Sequence, residues 1–171
     1  MFSAILYLLF NEGFYSRTSL QTIRKDMCWE AMRLLNSLLK SSFYDLPECQ
    51  ALMALFCFHS SRFDAKTNEH GEYILYQEQN HEKWYSELIL KGEYFLNKSA
   101  IGDKISKYHL EAAIAYRHTG PEDNQEKWEY ILHHYNLLLL VQYSPMSALN
   151  RTYALAKVKG KVVALKEALK I

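Results

Sequence analysis

The sequence predicts an all-α chain, an antiparallel helical-repeat array of about eight helices with one irregular insert near residues 63–80. Three observations carry that reading. Apolar residues recur three or four apart through most of the chain, most cleanly at Trp128, Ile131, Leu132, Tyr135, Leu138 and Leu139. Helix punctuation falls between these runs, at Gly13, Gly120-Pro121, Ser144-Pro145 and Gly160. Only 3 Pro and 6 Gly are present among 171 residues, too few turn formers for an all-β chain.

The first helix covers roughly Ser3 to Glu12 and is apolar nearly all round, which predicts a central or covered position, with Gly13 as the residue just past its end. A second, about Leu20 to Lys40, places Ile23, Met27, Ala31, Leu34, Leu35 and Leu38 on one stripe. Asp45-Leu46-Pro47-Glu48 resembles a capping box, with Glu48 reaching back to the Asp45 amide, and opens a third helix to about Arg62 that buries Ala51, Leu52, Leu55 and Phe56. Periodicity then breaks from Phe63 to Asn80. Asn68-Glu69-His70-Gly71 is a turn signal, and the EYILYQ after it is the chain's one β-leaning stretch, enough for a short extended segment or hairpin but not for a sheet.

A fourth helix, about His81 to Lys98, carries Trp84, Tyr85, Leu88, Ile89 and Phe95. Next comes a helix with Ile105, Tyr108, Ala112 and Tyr116 on one face, closed by Gly120-Pro121 because proline cannot continue a helix. The Trp128 stripe forms the following helix. Ser144 then reads as an N-cap with Pro145 at the first helical position. Lys159-Gly160-Lys161 makes a last turn before VVALKEALKI. Aromatic knobs and alanines at 112, 113, 115, 148, 154 and 156 resemble the tetratricopeptide-like pattern of paired helices, and ALAKVKG…ALKEAL resembles an imperfect further unit. Such an array holds a partner on its surface.

The length fits a single domain over residues 1–171. A formal net charge of +1 argues against a general nucleic-acid binder, which needs a basic excess to neutralise phosphates. The three cysteines, Cys28, Cys49 and Cys57, lack C-x-x-C spacing and read as reduced core thiols of a cytoplasmic protein. The apolar run from Phe2 to Phe10 is too short for a bilayer, and it lacks the basic start and cleavage site of a signal peptide, so no membrane association is expected.

Signals for chemistry are weak. His133 and His134 are adjacent and so point about 100° apart on a helix, while His109 and His118 fall on opposite faces, so no metal site is expected. Glu129 and His133 share a face, as ordinary helix decoration. There is no G-x-S-x-G elbow, no reactive cysteine context and no glycine-rich phosphate loop, so neither an enzyme nor a cofactor site is expected. Glu12, beside Asn11, reads as a buried carboxylate paired with Arg62 for structure rather than catalysis. The five lysines between Lys157 and Lys170 read as a solvated face, with an acidic protein or nucleic acid as the sharper alternative.

Together these pieces resemble the C-terminal extension of certain extracytoplasmic-function sigma factors (sigma-70 family) of bacterial RNA polymerase. The resemblance rests on LYLLFNEGF (Leu6 to Phe14), Asp26 with Glu30-Ala31, Glu48 with ALMAL, and His59-x-x-Arg62. It continues through Gln79 with Trp84-Tyr85, YHLEAAIA (Tyr108 to Ala115) with His118, and Trp128, Ile131 and Tyr135-Asn136, ending at Ser144-Pro145 with Leu149-Asn150-Arg151. It implies a tetratricopeptide-like domain that regulates transcription initiation through contacts with RNA polymerase, the sigma domains of its own parent chain or a small YCII-related (DGPF-type) protein. Asn11, Glu12, Arg62, Gln79, Trp84, Tyr108, His118, Asn150 and Arg151 are the candidate interaction positions. One departure stands out, because the family's usual Asp-Arg pair after the Gln79 position is Asn80-His81 here, which weakens any charge-based contact made there. Sigma regions 2 and 4 are not in this sequence, so no direct promoter contact is expected, and the chain reads as an excised domain or a shortened relative. The alternative is a stand-alone helical-repeat adaptor or small-ligand module, its aromatic helices lining a pocket.

Overall fold

The computed structural model describes residues 2–14, 23–69 and 72–171. Among them are eight α-helices and no strand: α1 (Phe2–Phe14), α2 (Lys25–Leu38), α3 (Pro47–Ser60), α4 (Ser86–Ser99), α5 (Lys107–Arg117), α6 (Gln125–Val141), α7 (Pro145–Lys159) and α8 (Lys161–Ala168). Three short 3₁₀ turns, Phe63–Ala65, Tyr76–Glu78 and His81–Lys83, occupy the insert between α3 and α4. The sequence suggests one array, and the chain forms two compact units, Met1–Asp103 and Lys104–Ile171. None of the described helices is long and apolar enough to cross a membrane.

In the first unit the central helix is α3, which packs against α1, α2 and α4. Its residues Ala51 through Phe58 are all buried, since CQALMALFCF is apolar on every face and its alanines let neighbours approach closely. Helix α3 packs tightly on α4, where a Cβ built on Gly92 would lie 2.5 Å from the Phe58 ring. Phe10 of α1 stacks on Phe56 at 4.1 Å between centroids, continuing an aromatic core through Phe14 and Phe63.

Several local expectations are corrected here. The apolar helix α1 is covered on one side only, with Ile5 54% and Leu8 66% exposed, because α3 takes the central place. Gly13 lies inside α1 rather than after it, where its missing side chain admits Arg24 O, Cys28 Sγ and Met27 Cβ, all within 3 Å of an added Cβ. The capping box at Asp45 does not form. Leu46 is the N-cap and Pro47 takes the first helical position, so Asp45 sits one residue too early and instead accepts hydrogen bonds from Gln50 and Lys98. Glu48 accepts from Ser3 Oγ at 2.6 Å, tying α3 to α1. Helix α4 starts at Ser86, five residues late, since the stretch from His81 makes a 3₁₀ turn. The start expected for α2 near Leu20 lies outside the described residues, as do His70 and Gly71 of the turn signal.

The second unit follows its sequence pattern closely. Each of its helices packs on the next in the chain, α5 on α6, α6 on α7 and α7 on α8. Leu110, Ile114, Trp128, Ile131, Leu138 and Ala154 form the core, flanked by Leu132 and Tyr135. Ser144 caps α7 as expected, its side chain accepting from Ser147 N at 3.0 Å with Pro145 opening the helix. Gly160, at φ 89°, turns the chain into α8 with a backbone conformation that L side chains rarely adopt. Ile105 precedes α5 and is exposed rather than part of its buried face.

Candidate functional site

The insert of the first unit is a closed corner. Tyr85 N donates to Ser61 O at 2.8 Å, so the start of α4 returns to the end of α3 and the residues between bulge from one point. Asn68 closes the tip, exchanging backbone and side-chain hydrogen bonds with Glu72, and Thr67 and Tyr73 make an isolated antiparallel bridge. That bridge is the extended segment expected from EYILYQ. Ile74 N donates to Lys66 O at 2.8 Å, and Gln79 Nε2 donates to Ile74 O at 3.3 Å, which links the two sides of the insert. Asn80 caps the third 3₁₀ turn through Oδ1, accepting from Glu82 N at 2.9 Å, and His81 packs its ring 4.3 Å from Trp84. Asn80 and His81 therefore help to hold this corner's geometry.

Arg62 is the hub. It is only 7% exposed, and its guanidinium carbon lies 5.4 Å from the Tyr76 ring centre and 5.8 Å from that of Trp84. Gln79 is 8% exposed; its Oε1 and the Nε1 of Trp84 are buried with no hydrogen-bond partner among the described residues. One helical turn beyond Arg62, Lys66 sets its ammonium 3.6 Å above the centre of the Phe14 ring, with His59 against the same ring at 4.8 Å. Burial, reinforced by the like charge of Arg62, holds the Lys66 ammonium well below the ordinary lysine value. At the rim, Lys25 and the Tyr85 hydroxyl both donate to Asp64, and the Lys25 bond is the main reason the Asp64 carboxyl lies below its usual range.

Of the positions singled out from sequence, Arg62, Gln79 and Trp84 come together in this corner. Glu12 does not join them. It is exposed at the end of α1 and feels the Arg24 guanidinium, so its expected buried pairing with Arg62 is corrected; Asn11 beside it is half-buried. Sequence reasoning missed Lys66 and Tyr76. The available signal was Arg62-Phe63-Asp64-Ala65-Lys66, two cations four residues apart around two apolar residues, which a solvated face does not require.

In the second unit Tyr108 is core, and His118 meets Trp128 edge-on at 5.8 Å. Trp128 Nε1 donates to Asp123 Oδ1 at 2.5 Å, and Lys157 lies over the Trp128 ring while reaching Asp123 at 3.3 Å. Arg151 Nε donates to Asn136 Oδ1 at 2.6 Å, joining α7 to α6, while Asn150 is exposed. These residues brace helices. His134 Nδ1 donates to Tyr130 O at 2.8 Å and the imidazole stacks on that tyrosine ring, while burial lowers its basicity. Among the described residues no three His, Cys, Asp or Glu side chains gather as a metal ion would require. All three cysteines are free and buried, and desolvation pushes the Cys28 and Cys57 thiols up to about 12.

The model of a family of unknown function, DUF6596, matches residues 2–100, more than half of the chain. The chain belongs to this family. The DUF6596 match ends close to the boundary of the first unit, so it contains α1 to α4 and the whole Arg62 corner. An uncharacterized protein of Rhizobium meliloti (strain 1021) is 32% identical over 164 residues, covering 95% of this chain and 38% of that protein. The chain thus spans well under half of that relative's length. No solved structure matches it.

Proposed function

We propose that this DUF6596 chain is a regulatory protein-interaction domain of an extracytoplasmic-function RNA polymerase sigma factor, modulating transcription initiation in the cytoplasm without binding promoter DNA itself. One observation supports it most. Three motifs of the sigma-factor resemblance, His59-x-x-Arg62, Gln79 and Trp84-Tyr85, are distant in sequence yet share one polar-aromatic corner on a helical scaffold. Loops held by rigid helices are where contact residues concentrate. The relative's greater length leaves room for sigma regions in a parent chain. The near-neutral net charge of +1 favours a protein partner over nucleic acid. RNA polymerase, the sigma regions of the parent chain and a YCII-related small protein are the partners to test.

Immobilised chain should retain purified polymerase holoenzyme carrying an extracytoplasmic-function sigma factor, and Arg62→Ala should weaken that retention while a folded circular-dichroism spectrum persists. Promoter DNA alone should pass through. Retention of neither polymerase nor sigma regions would sink the proposal. A melting-temperature rise with a metabolite alone would then favour the stand-alone adaptor or small-ligand module.

A further inference from the structure

The Arg62 corner contains more than a brace needs. Arg62 and Lys66 bring two positive charges close enough to act on each other within an apolar setting of Phe14, Tyr76 and Trp84. Lys66 makes no ion pair among the described residues, and its ammonium rests on an aromatic face. Packing alone would be better served by a neutral side chain, because a cation taken out of water loses hydration that one ring only partly replaces. In the same insert, Trp84 Nε1 is a buried donor and Gln79 Oε1 a buried acceptor, each without a hydrogen-bond partner among the described residues. The backbone bond from Ile74 N to Lys66 O and the side-chain bond from Gln79 Nε2 to Ile74 O tie Lys66 and Gln79 to the same stretch of the insert. Unsatisfied buried polar atoms are rare in folded proteins, and two in one corner with an unpaired ammonium ask for a third party.

We infer that this corner binds a carboxylate that carries a hydrogen-bond donor beside it. The anion answers Lys66 and Trp84 Nε1, and the adjacent N–H or O–H answers Gln79 Oε1. An Asp or Glu side chain with its own backbone amide has that chemistry, as does a free amino or hydroxy acid. The inference rests on charge and burial and does not require the sigma-factor reading.

The test uses the full chain and three probes at matched ionic strength: free glutamate, citrate and a short oligo-glutamate peptide, with chloride as the reference. At least one carboxylate probe should raise the melting temperature and move the Trp84 indole N–H resonance. A response to the peptide alone identifies a protein segment as the source, and a response to glutamate or citrate alone a small acid. Lys66→Met removes the charge at nearly constant length and should melt no lower than the parent. It should bind the effective probe about tenfold or more weakly, as expected for a charge-assisted hydrogen bond. Trp84→Phe keeps an aromatic ring for Arg62, removes the indole donor and should also weaken binding. If no probe shifts the parent chain, or Lys66→Met responds as the parent does, the inference is wrong.

Discussion

Replacing Gly92 by alanine tests the packing on which the first unit depends. A Cβ there would lie 2.5, 2.7 and 2.9 Å from three atoms of the Phe58 ring, distances that real contacts of this kind essentially never show. Phe58 is fully buried in the central helix, so the ring cannot swing away into solvent. Overpacking of this sort costs about 1–3 kcal/mol, and the tight geometry calls for the upper half of that range. Alanine returns about 1 kcal/mol through its better helix propensity at an interior α4 position. The net expectation is a loss of about 1–2 kcal/mol, or a fall of about 2–8 °C in melting temperature for a chain of this size. Urea unfolding followed by far-ultraviolet circular dichroism reads it directly. Adding Phe58→Leu should recover part of the loss in the double variant, giving a favourable coupling between the two sites. Gly120→Ala, where an added Cβ meets nothing within 4 Å, should stay within about 0.5 kcal/mol. If Gly92→Ala proves as stable as the parent chain, the close approach of α3 and α4 is wrong.

Two further predictions concern titratable groups. The Asp123 carboxyl is held below its ordinary 3.8, chiefly by the Trp128 indole bond. Because the folded-state value is the lower one, its contribution is present above the ordinary value and disappears as pH falls through the lowered one. Acid unfolding of the second unit should therefore be blunted in Asp123→Asn, which is less stable at neutral pH, and identical acid profiles for the two proteins would refute that. Cys28 and Cys57, pushed up to about 12, should resist a disulfide reagent at pH 8 until denaturant opens the core, and fast labelling of the native chain would contradict their burial.

How much was legible in advance followed how local the cause was. The Trp128 stripe, the Ser144-Pro145 cap and the Gly160 turn rest on interactions within a few residues, and each stands where the pattern puts it. The choice between two apolar helices for the central place was not local. Both α1 and α3 are apolar on most faces, and only packing between distant segments puts α3 against α1, α2 and α4 together. The Asp45 capping box failed by a single residue, since Pro47 is so well suited to the first helical position that it shifts the cap to Leu46.

The candidate site shows the same limit more sharply. Nothing periodic spans residues 63–80, so no pattern could announce that Tyr76, read as part of a β-leaning run, would face Arg62. The resemblance named Arg62, Gln79 and Trp84 without a reason for their association; the backbone bond from Tyr85 to Ser61 supplies one, closing the insert so that both ends meet. Lys66 enters only through that closure. A lysine outside a periodic segment reads as solvent-facing by default, and only the aromatic ring beneath its ammonium and the arginine beside it turn it into a group that needs an anion. The corner's polar groups, rather than the helices that hold it, are therefore where substitution should separate binding from stability.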